Sequence, residues 1–457
     1  MADVKEVKES DVGPTREKND TSPAESNVDL FADINEKALV RRLDYKLLPP
    51  LTILYLLSFL DRSNVGNARL EGLTDDVGMS GNQYLTENHS PNLATLTLVW
   101  GIITTLLGVV ENYAGYLTSR TALGIAGSGL FPGVVFYLSM WYKRNEQHYR
   151  VALFFSAASL AGAFGGILAW GIAHMDGEGL LTVVVALLAY FWVNNYPATA
   201  EFLSDKERSF IQYRLKNDSD ATREEDFSWG AVADAVKDPK VWLYGLGFHT
   251  MSLPLYTLSL FLPSIIRALG YSAAKAQLLT VPPYALGFVT TITVAILSER
   301  TRRRAPYIMG SSAFACIGYI ILITGRQPGV QYTGAFFCCA GIYPAVAIVL
   351  SWPANNVSGQ TKRAIANAMQ ISIGNLGAVL GTQLYRTETE PRYYLGHGSA
   401  LGYLVANIVV VFILWQVLNR ENVKKAEARE REGPQALMGD VGDDFQGDKD
   451  PRWVFQT

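Results

Sequence analysis

An aspartate and an arginine, Asp61 and Arg62, stand side by side within an apolar stretch near the start of the chain. A charged side chain at bilayer depth costs about 2.5 to 3.5 kcal/mol on insertion scales, so such groups usually face a cavity, pair or take part in function. A guanidinium also binds a carboxylate in a planar, bidentate geometry and stays protonated. The pair therefore predicts a transporter.

The residues around this pair predict a membrane-spanning helix that continues past both charges. The apolar stretch from Leu47 to Leu60 is too short to cross about 30 Å of hydrocarbon, because that crossing takes about twenty helical residues. The alternative interpretation is that the helix ends at Leu60 and the charges mark its aqueous edge.

The composition predicts an all-α integral membrane protein. The chain is 49% hydrophobic and only 18% charged, whereas about 25% of residues are charged in soluble domains. Together with the first stretch there are about eleven apolar segments of span length or slightly shorter. The others cover residues 95–110, 117–142, 151–172, 179–193, 241–266, 278–297, 307–324, 333–352, 364–384 and 399–418.

Polar segments divide these spans into two groups. We expect disordered cytoplasmic tails because the ends of the chain are polar and poor in aromatic residues. A long polar stretch in the middle is typical of a loop between two halves. The predicted divisions are a tail at 1–46, an amino-terminal helical bundle at 47–194, a cytoplasmic loop at 195–240, a carboxy-terminal six-helix bundle at 241–418 and a tail at 419–457.

Basic residues in short loops predict the orientation. Lys143, Arg300, Lys362 and Lys424 fall on one face when the spans from residue 151 onward alternate, and that face should be cytoplasmic. The basic entry to the first span should be cytoplasmic too. An even number of crossings is then needed before Lys143, but the apolar segments there give an odd number, so one crossing is missing.

Other function classes find little support in the sequence. The chain carries neither a basic stripe with interleaved aromatics for nucleic acid nor a phosphate-binding glycine loop. A nucleophile with an adjacent base and metal-ligand spacing are also absent, so we expect neither an enzyme nor a cofactor or metal. Cys316, Cys338 and Cys339 lie in apolar spans and are expected to be small buried residues.

Several stretches resemble the fungal allantoate, nicotinate and vitamin permeases of the anion:cation symporter branch of the major facilitator superfamily. They are SFLDRSNVGNARLEGL, GLFPGVVFYLSMWYKR, ALFFSAASLAGAFGGILAWGI, YSAAKAQLLTVPPY, LSERTRRRAPYIMG and ANNVSGQTKRAIANAMQISIGNLGAVLGTQLYR. The resemblance implies two helical bundles around a central cavity that opens alternately to each side of the bilayer. It also implies a multi-pass monomer in the plasma membrane with both termini cytoplasmic.

The chain departs from this family pattern in three places. The usual second helix is missing before residue 95, which matches the absent crossing, and the sixth helix at 179–193 is shortened. The family's fourth helix commonly carries a carboxylate two turns after its arginine; here that arginine is Arg120, and Gly127 stands seven residues later. The coupling role of that acid would then fall on Asp61 alone, or coupling would be weaker.

Polar residues on the apolar segments supply the remaining site predictions. Arg120 either binds substrate or extends its charge to the membrane surface. The other polar residues, which are listed at the end of this paragraph, either contact substrate or form hydrogen bonds between neighbouring helices. The gating turn, which equally serves as a topology signal, is predicted at Glu299, Arg300 and Arg303. The predicted substrate-binding set is Arg62, Arg120, Asn64, Tyr137, Tyr256, Tyr343, Asn355, Gln370 and Asn375.

The residues and the resemblance together predict proton-coupled symport of a small organic anion. The resemblance alone implies nicotinate-like or other vitamin-precursor carboxylates as the first substrate candidates and allantoate or another ureide as the second. Asp61 is the predicted proton-coupling residue: when an anion competes for Arg62, Asp61 loses its paired cation and takes up a proton more readily. The alternative is a transport-inactive product that lacks one helix. The expected partners are the anion, protons and the lipid bilayer, and no nucleic acid.

Overall fold

The computed structural model describes twelve α-helices, α1 to α12, in the parts of the chain that it covers. The described residues are 33–70, eight positions between 103 and 122, and 130–139, 141–172, 200, 202–216, 228–390, 392–432 and 447–457, with some side chains excepted, among them those of 57, 58, 60–70 and 166–172. The helices are α1 Glu36–Leu70, α2 Leu130–Ser139, α3 Arg144–Ile172, α4 Asp205–Lys216, α5 Trp229–Lys237, α6 Pro239–Ala268, α7 Ala273–Leu279, α8 Val281–Thr301, α9 Ala305–Thr324, α10 Pro328–Asn356, α11 Gln360–Thr382 and α12 Tyr394–Glu432.

Helix α1 runs without a break from Glu36 to Leu70 and includes Asp61 and Arg62 well before its end. The helix therefore continues past both charges, as the sequence predicts, and does not end at Leu60. It also begins earlier than expected, within the segment predicted to be a disordered tail. Ion pairs at its start provide the reason, since Glu36 lies 3.0 Å from the Lys143 ammonium nitrogen.

The second half of the described chain forms a bundle of long apolar helices. Six helical segments between residues 239 and 431 are long and apolar enough to cross a membrane, and each overlaps one predicted span. Two of these helices contain interior prolines, among them Pro254 and Pro344, which membrane helices tolerate where surrounding groups bond the freed carbonyls. The buried side chains concentrate on α6 and α10, which therefore form the interior of this bundle.

Helices α6 and α11 pack closely through glycines. A methyl group at Gly377 would clash with the His249 carbonyl, and one at Gly381 would lie 2.9 Å from Thr257 Cγ2. The GxxxG pattern thus serves close helix packing within this bundle. In the other half, a methyl group at Gly162 of α3 would lie 2.8 Å from the ring of Tyr284 on α8, so this glycine allows the two halves to approach each other.

Helix α3 is the main contact between the two groups of helices. It packs against α1 on one side and against α8 and α10 on the other. Helix α1 also touches α6. Residues of α3 therefore lie where two alternating halves would have to separate.

The polar segments contain more structure than the sequence predicts. The stretch predicted as a loop at 195–240 includes α4 and α5, and α12 continues to Glu432 within the segment predicted as a disordered tail. Residues 447–457, predicted as part of the same tail, pack on the bundle and bury the rings of Trp453 and Phe455. Apolar anchors of this kind explain why a polar segment is ordered here.

Several predictions concern residues outside the described set. These are the tail up to residue 32, the span at 95–110 apart from position 103, the span at 179–193, the predicted missing crossing between 86 and 92, and Arg120 with Gly127. The division into two bundles, a loop and tails stays a prediction.

Candidate functional site

The predicted anion-binding and proton-coupling residues lie on the second half of α1. Asp61, Arg62 and Asn64 have helical backbone in this helix, while their side chains lie outside the described set. Because the backbone is helical here, the face of α1 on which each of positions 61, 62 and 64 lies can be deduced from the described residues one and two turns earlier.

A cluster of aromatic rings joins α1 to the other half of the molecule. The Tyr55 ring centroid on α1 lies 4.4 Å from that of Phe154 and 6.1 Å from that of Phe155, both on α3. The Phe155 centroid lies 6.5 Å from that of Tyr343 on α10, which lies 5.9 Å from that of Tyr284 on α8. We call these five residues the aromatic cluster.

Among the predicted site residues with described side chains, Tyr343 is the one that the structure brings into this cluster. It is fully buried, at 0% exposure. Sequence reasoning missed Tyr55 and Tyr284. For Tyr55 a signal was present, because it stands seven residues before Arg62 and positions seven apart share a helix face.

A second contact between the halves lies nearer the end of α10. His148 Nδ1 on α3 and Ser351 Oγ on α10 are 2.5 Å apart, and both residues are buried. Asn355, one turn further along α10, is fully buried too. The Gln370 Nε2 atom on α11 donates to the Val349 carbonyl at 2.8 Å, a bond that ties two helices together.

The other predicted polar residues are more dispersed. Tyr137 on α2 is buried, with its ring centroid 5.9 Å from that of Trp141. Tyr256 on α6 and Asn375 on α11 are partly buried. These positions are not brought into the aromatic cluster.

Charged residues gather at one end of the described helices. Arg150 on α3 forms two hydrogen bonds with the Asp44 carboxylate on α1, at 2.6 and 2.8 Å. Arg214 on α4 binds both Glu36 and Glu146, and its side chain is buried. We call this end of the molecule, marked by Arg150, Arg214 and Arg304, the basic end.

The predicted gating turn lies at the basic end, but a different arginine is buried there. Arg300 and Arg303 are exposed, whereas Arg304 is only 1% exposed. The Arg304 Nη2 atom lies 3.3 Å from Glu299 Oε2, and its Nη1 atom donates to Ser298 Oγ at 3.0 Å. Sequence reasoning named Glu299 but overlooked Arg304, since four nearby arginines cannot be told apart without the packing. The gating role of this turn stays a prediction.

Burial lowers the pKa of Arg304 to about 10, while the Glu299 carboxylate opposes that shift. The guanidinium therefore stays protonated at neutral pH. Its position between α8 and α9 is set by the left-handed backbone of Arg302, which has φ of 53° and closes the turn after α8. The turn thus buries the Arg304 guanidinium and leaves Arg300 and Arg303 exposed to solvent.

Long apolar helices, a contact surface between two groups of them and a charged layer at one end define a multi-pass membrane protein of the transporter class. Comparison with known proteins gives the family. The profile described as Major Facilitator Superfamily matches residues 89–382. The chain belongs to the Major Facilitator Superfamily and is a membrane transporter of small molecules, not an enzyme.

Two curated fungal relatives match along most of their length. The MFS-type transporter cnsO of Penicillium expansum is 34% identical over 469 positions, covering 91% of this chain and 90% of the relative. The high-affinity nicotinic acid transporter of Saccharomyces cerevisiae is 30% identical, covering 92% of this chain and 84% of the relative.

A solved structure shares the fold. The bacterial homologue of the human lysosomal transporter Spinster, in an inward-facing and unoccupied conformation, aligns with a TM-score of 0.54 and 14% identity. The alignment covers 80% of this chain and 94% of that protein. The predicted fold class is therefore confirmed.

Proposed function

We propose that this transporter moves a small organic anion across the plasma membrane together with protons, with both termini on the cytoplasmic side. Nicotinate-like carboxylates are the first substrate candidates, and allantoate or another ureide is the second. The observation that carries the proposal is the unbroken course of α1 through Asp61 and Arg62, which places both positions inside a helix instead of at its end. The name of the yeast relative supports the choice of carboxylate.

The register of α1 supports Arg62 as the anion-binding residue. Tyr55 faces the aromatic cluster between the halves. Position 62 lies seven residues later, on the same face and about 10 Å further along the helix. Position 64 lies on the opposite face, so the register favours Arg62 over Asn64.

The aromatic cluster and Arg62 together suit a flat ring that carries a carboxylate. Aromatic rings pack favourably against one another in offset or edge-to-face geometry, and the guanidinium pairs with the carboxylate in a bidentate way. Asp61, adjacent to Arg62, then supplies the proton site, because the incoming anion and the acid compete for the same cation.

A matched pair of substrates tests the proposal. Nicotinate and nicotinamide share a ring and differ in the charged carboxylate, so uptake of radiolabelled nicotinate without uptake of nicotinamide is expected in yeast cells that lack their own carrier. Allantoate, tested beside its uncharged analogue allantoin, distinguishes the second substrate candidate. Equal uptake of the charged and uncharged members of both pairs would rule out anion recognition.

A specific observation also supports the transport-inactive alternative. The alignment with the Penicillium relative spans 469 positions, which is more than the 457 residues of this chain, so the relative has residues with no counterpart here. Loss of a helix between residues 86 and 92 would account for part of that difference. A protein of this kind would insert into the membrane but accumulate no substrate.

A further inference from the structure

Residues 447–457 form a strap that lies on the basic end of the carboxy-terminal helices. The strap is held to α12 by a reciprocal pair of hydrogen bonds. Asn422 Nδ2 donates to the Phe455 carbonyl at 2.9 Å, and the Phe455 N–H donates to Asn422 Oδ1 at 2.8 Å. The Phe455 ring also lies beneath the Lys425 ammonium group, with its centroid 4.2 Å from the nitrogen.

The strap is bonded equally well to the end of α10. The Gln456 carbonyl accepts from Trp352 Nε1 at 2.8 Å and from Asn356 Nδ2 at 2.9 Å. The Gln456 N–H donates to Asn356 Oδ1 at 2.8 Å. The Gln456 backbone thus bonds side chains at the end of α10 that would otherwise bond solvent.

A buried ion pair holds the beginning of the strap. The Lys362 ammonium nitrogen on α11 lies 2.6 Å from Asp448 and 3.0 Å from Asp238, which precedes α6. All three side chains are largely buried, and removal of Lys362 would deprive both carboxylates of the cation that they share. The strap therefore connects α6, α10, α11 and α12.

The strap also fixes the buried arginine of the gating turn. Gln456 Oε1 accepts from Arg304 Nη2 at 2.9 Å, and the Arg304 backbone N–H donates to the Thr457 oxygen at 2.6 Å. Ser351, which meets His148 of α3 across the halves, is the neighbour of Trp352 on α10, one of the residues that the strap bonds. The strap thus holds the part of α10 that contacts α3, as well as Arg304 in the turn between α8 and α9.

We propose that the strap is a latch: while it is bound, it holds the end of α10 against α3 and keeps the basic end closed. Opening of that end requires α10 and α3 to separate at His148 and Ser351. Release of the strap frees both Arg304 and the end of α10, and the basic end then opens more often. The inference rests on alternating access in the proposed function but not on the identity of the substrate.

Accessibility of Ser351 measures this opening without any substrate, so the result is independent of the anion proposal. The reporter is Ser351→Cys in the 457-residue chain with alanine at Cys316, Cys338 and Cys339, reconstituted in nanodiscs and labelled with a charged maleimide. Asn422→Ala removes both hydrogen bonds to Phe455 and is expected to label about five times faster than the parent. Val423→Ala on the same helix, at a position 58% exposed, is the matched control and should label at the parent rate.

A second variant keeps the test decisive if Asn422→Ala fails to fold. Gln456→Ala removes only the side-chain acceptor of Arg304 and leaves the backbone bonds of the strap in place. It is expected to label about twice as fast as the parent. Labelling at the parent rate in every folded strap variant, or equal acceleration by Val423→Ala, would overturn the latch.

Discussion

In the proposed function, anion recognition depends on Arg62. A permanent cation inside a membrane helix is costly unless it is hydrated or paired, and a carboxylate substrate would pair with it. Described residues one and two turns earlier on α1, Phe59 and Tyr55, are buried. Buried aromatic side chains therefore occupy the two turns of α1 before position 62.

Replacement of Arg62 should abolish uptake while leaving the protein in the membrane. For Arg62→Ala we expect at least about a tenfold loss of radiolabelled anion uptake, because a charge-assisted bidentate contact contributes about 1.5 to 3 kcal/mol. Arg420→Ala, at an exposed position of α12, is the matched control. Normal uptake by Arg62→Ala at equal surface abundance would remove Arg62 from the mechanism.

Replacement of Asp61 should separate coupling from binding. Asp61→Asn keeps the size of the side chain but no longer exchanges a proton, so accumulation driven by an acidic exterior should be lost while exchange of internal for external anion continues. Uptake is measured at two external pH values, with exposed Glu388→Gln as the control. Unaltered accumulation at acidic external pH would argue against the proton role.

At the scale of elements, helix α3 and the glycines of α11 determine how the described helices pack. Helix α3 carries Phe154 and Phe155 of the aromatic cluster and His148 of the contact with α10. Glycines of α11 let it approach α6 closely, and Gln370 of the same helix bonds α10. The positions of these helices thus decide which predicted polar residues meet.

A methyl group at Gly377 should disturb this packing. Its carbon would meet the His249 carbonyl and Ser252 Oγ, so Gly377→Ala should destabilise the bundle by about 1 to 3 kcal/mol and lower its thermal unfolding temperature. Gly402→Ala on α12 is the matched control, because a methyl group there meets nothing within 4 Å. An equal unfolding temperature for both variants would show that α6 and α11 can move apart without loss.

At the scale of the whole molecule, completion of a transport cycle depends on both halves being intact. Two halves that alternate must each bury their own helices while sharing a cavity. The described residues show contact between the halves through α3, α8 and α10. The crossing predicted to be missing before residue 95 belongs to the first half, so its loss would affect the stability of that half most.

Insertion of the helix that is predicted to be missing tests the transport-inactive alternative. The corresponding segment of the Penicillium relative is inserted between Thr86 and Asn92, and uptake by this version is compared with that of the unmodified chain. If the chain is an incomplete transporter, uptake should appear only after the insertion, at equal membrane abundance. A scrambled apolar insert of the same length is the control, and equal uptake by the unmodified chain would exclude the alternative.

The sequence by itself determined the class of this protein and much of its span pattern. Burial of backbone polar groups in lipid allows few solutions, so apolar segments of span length predict helices directly. The same reasoning predicted that α1 continues past Asp61 and Arg62. It also predicted a turn at Glu299, since turns between short spans carry basic residues.

Only the tertiary structure decided which residues meet. Tyr55, Tyr284 and Tyr343 lie far apart in the chain and come together because α1, α8 and α10 pack around α3. Selection of Arg304 among four neighbouring arginines, and the order of residues 447–457, depend on contacts with distant helices that local composition cannot reveal. Local sequence sets which segments enter the membrane, whereas long-range packing decides which side chains share a site.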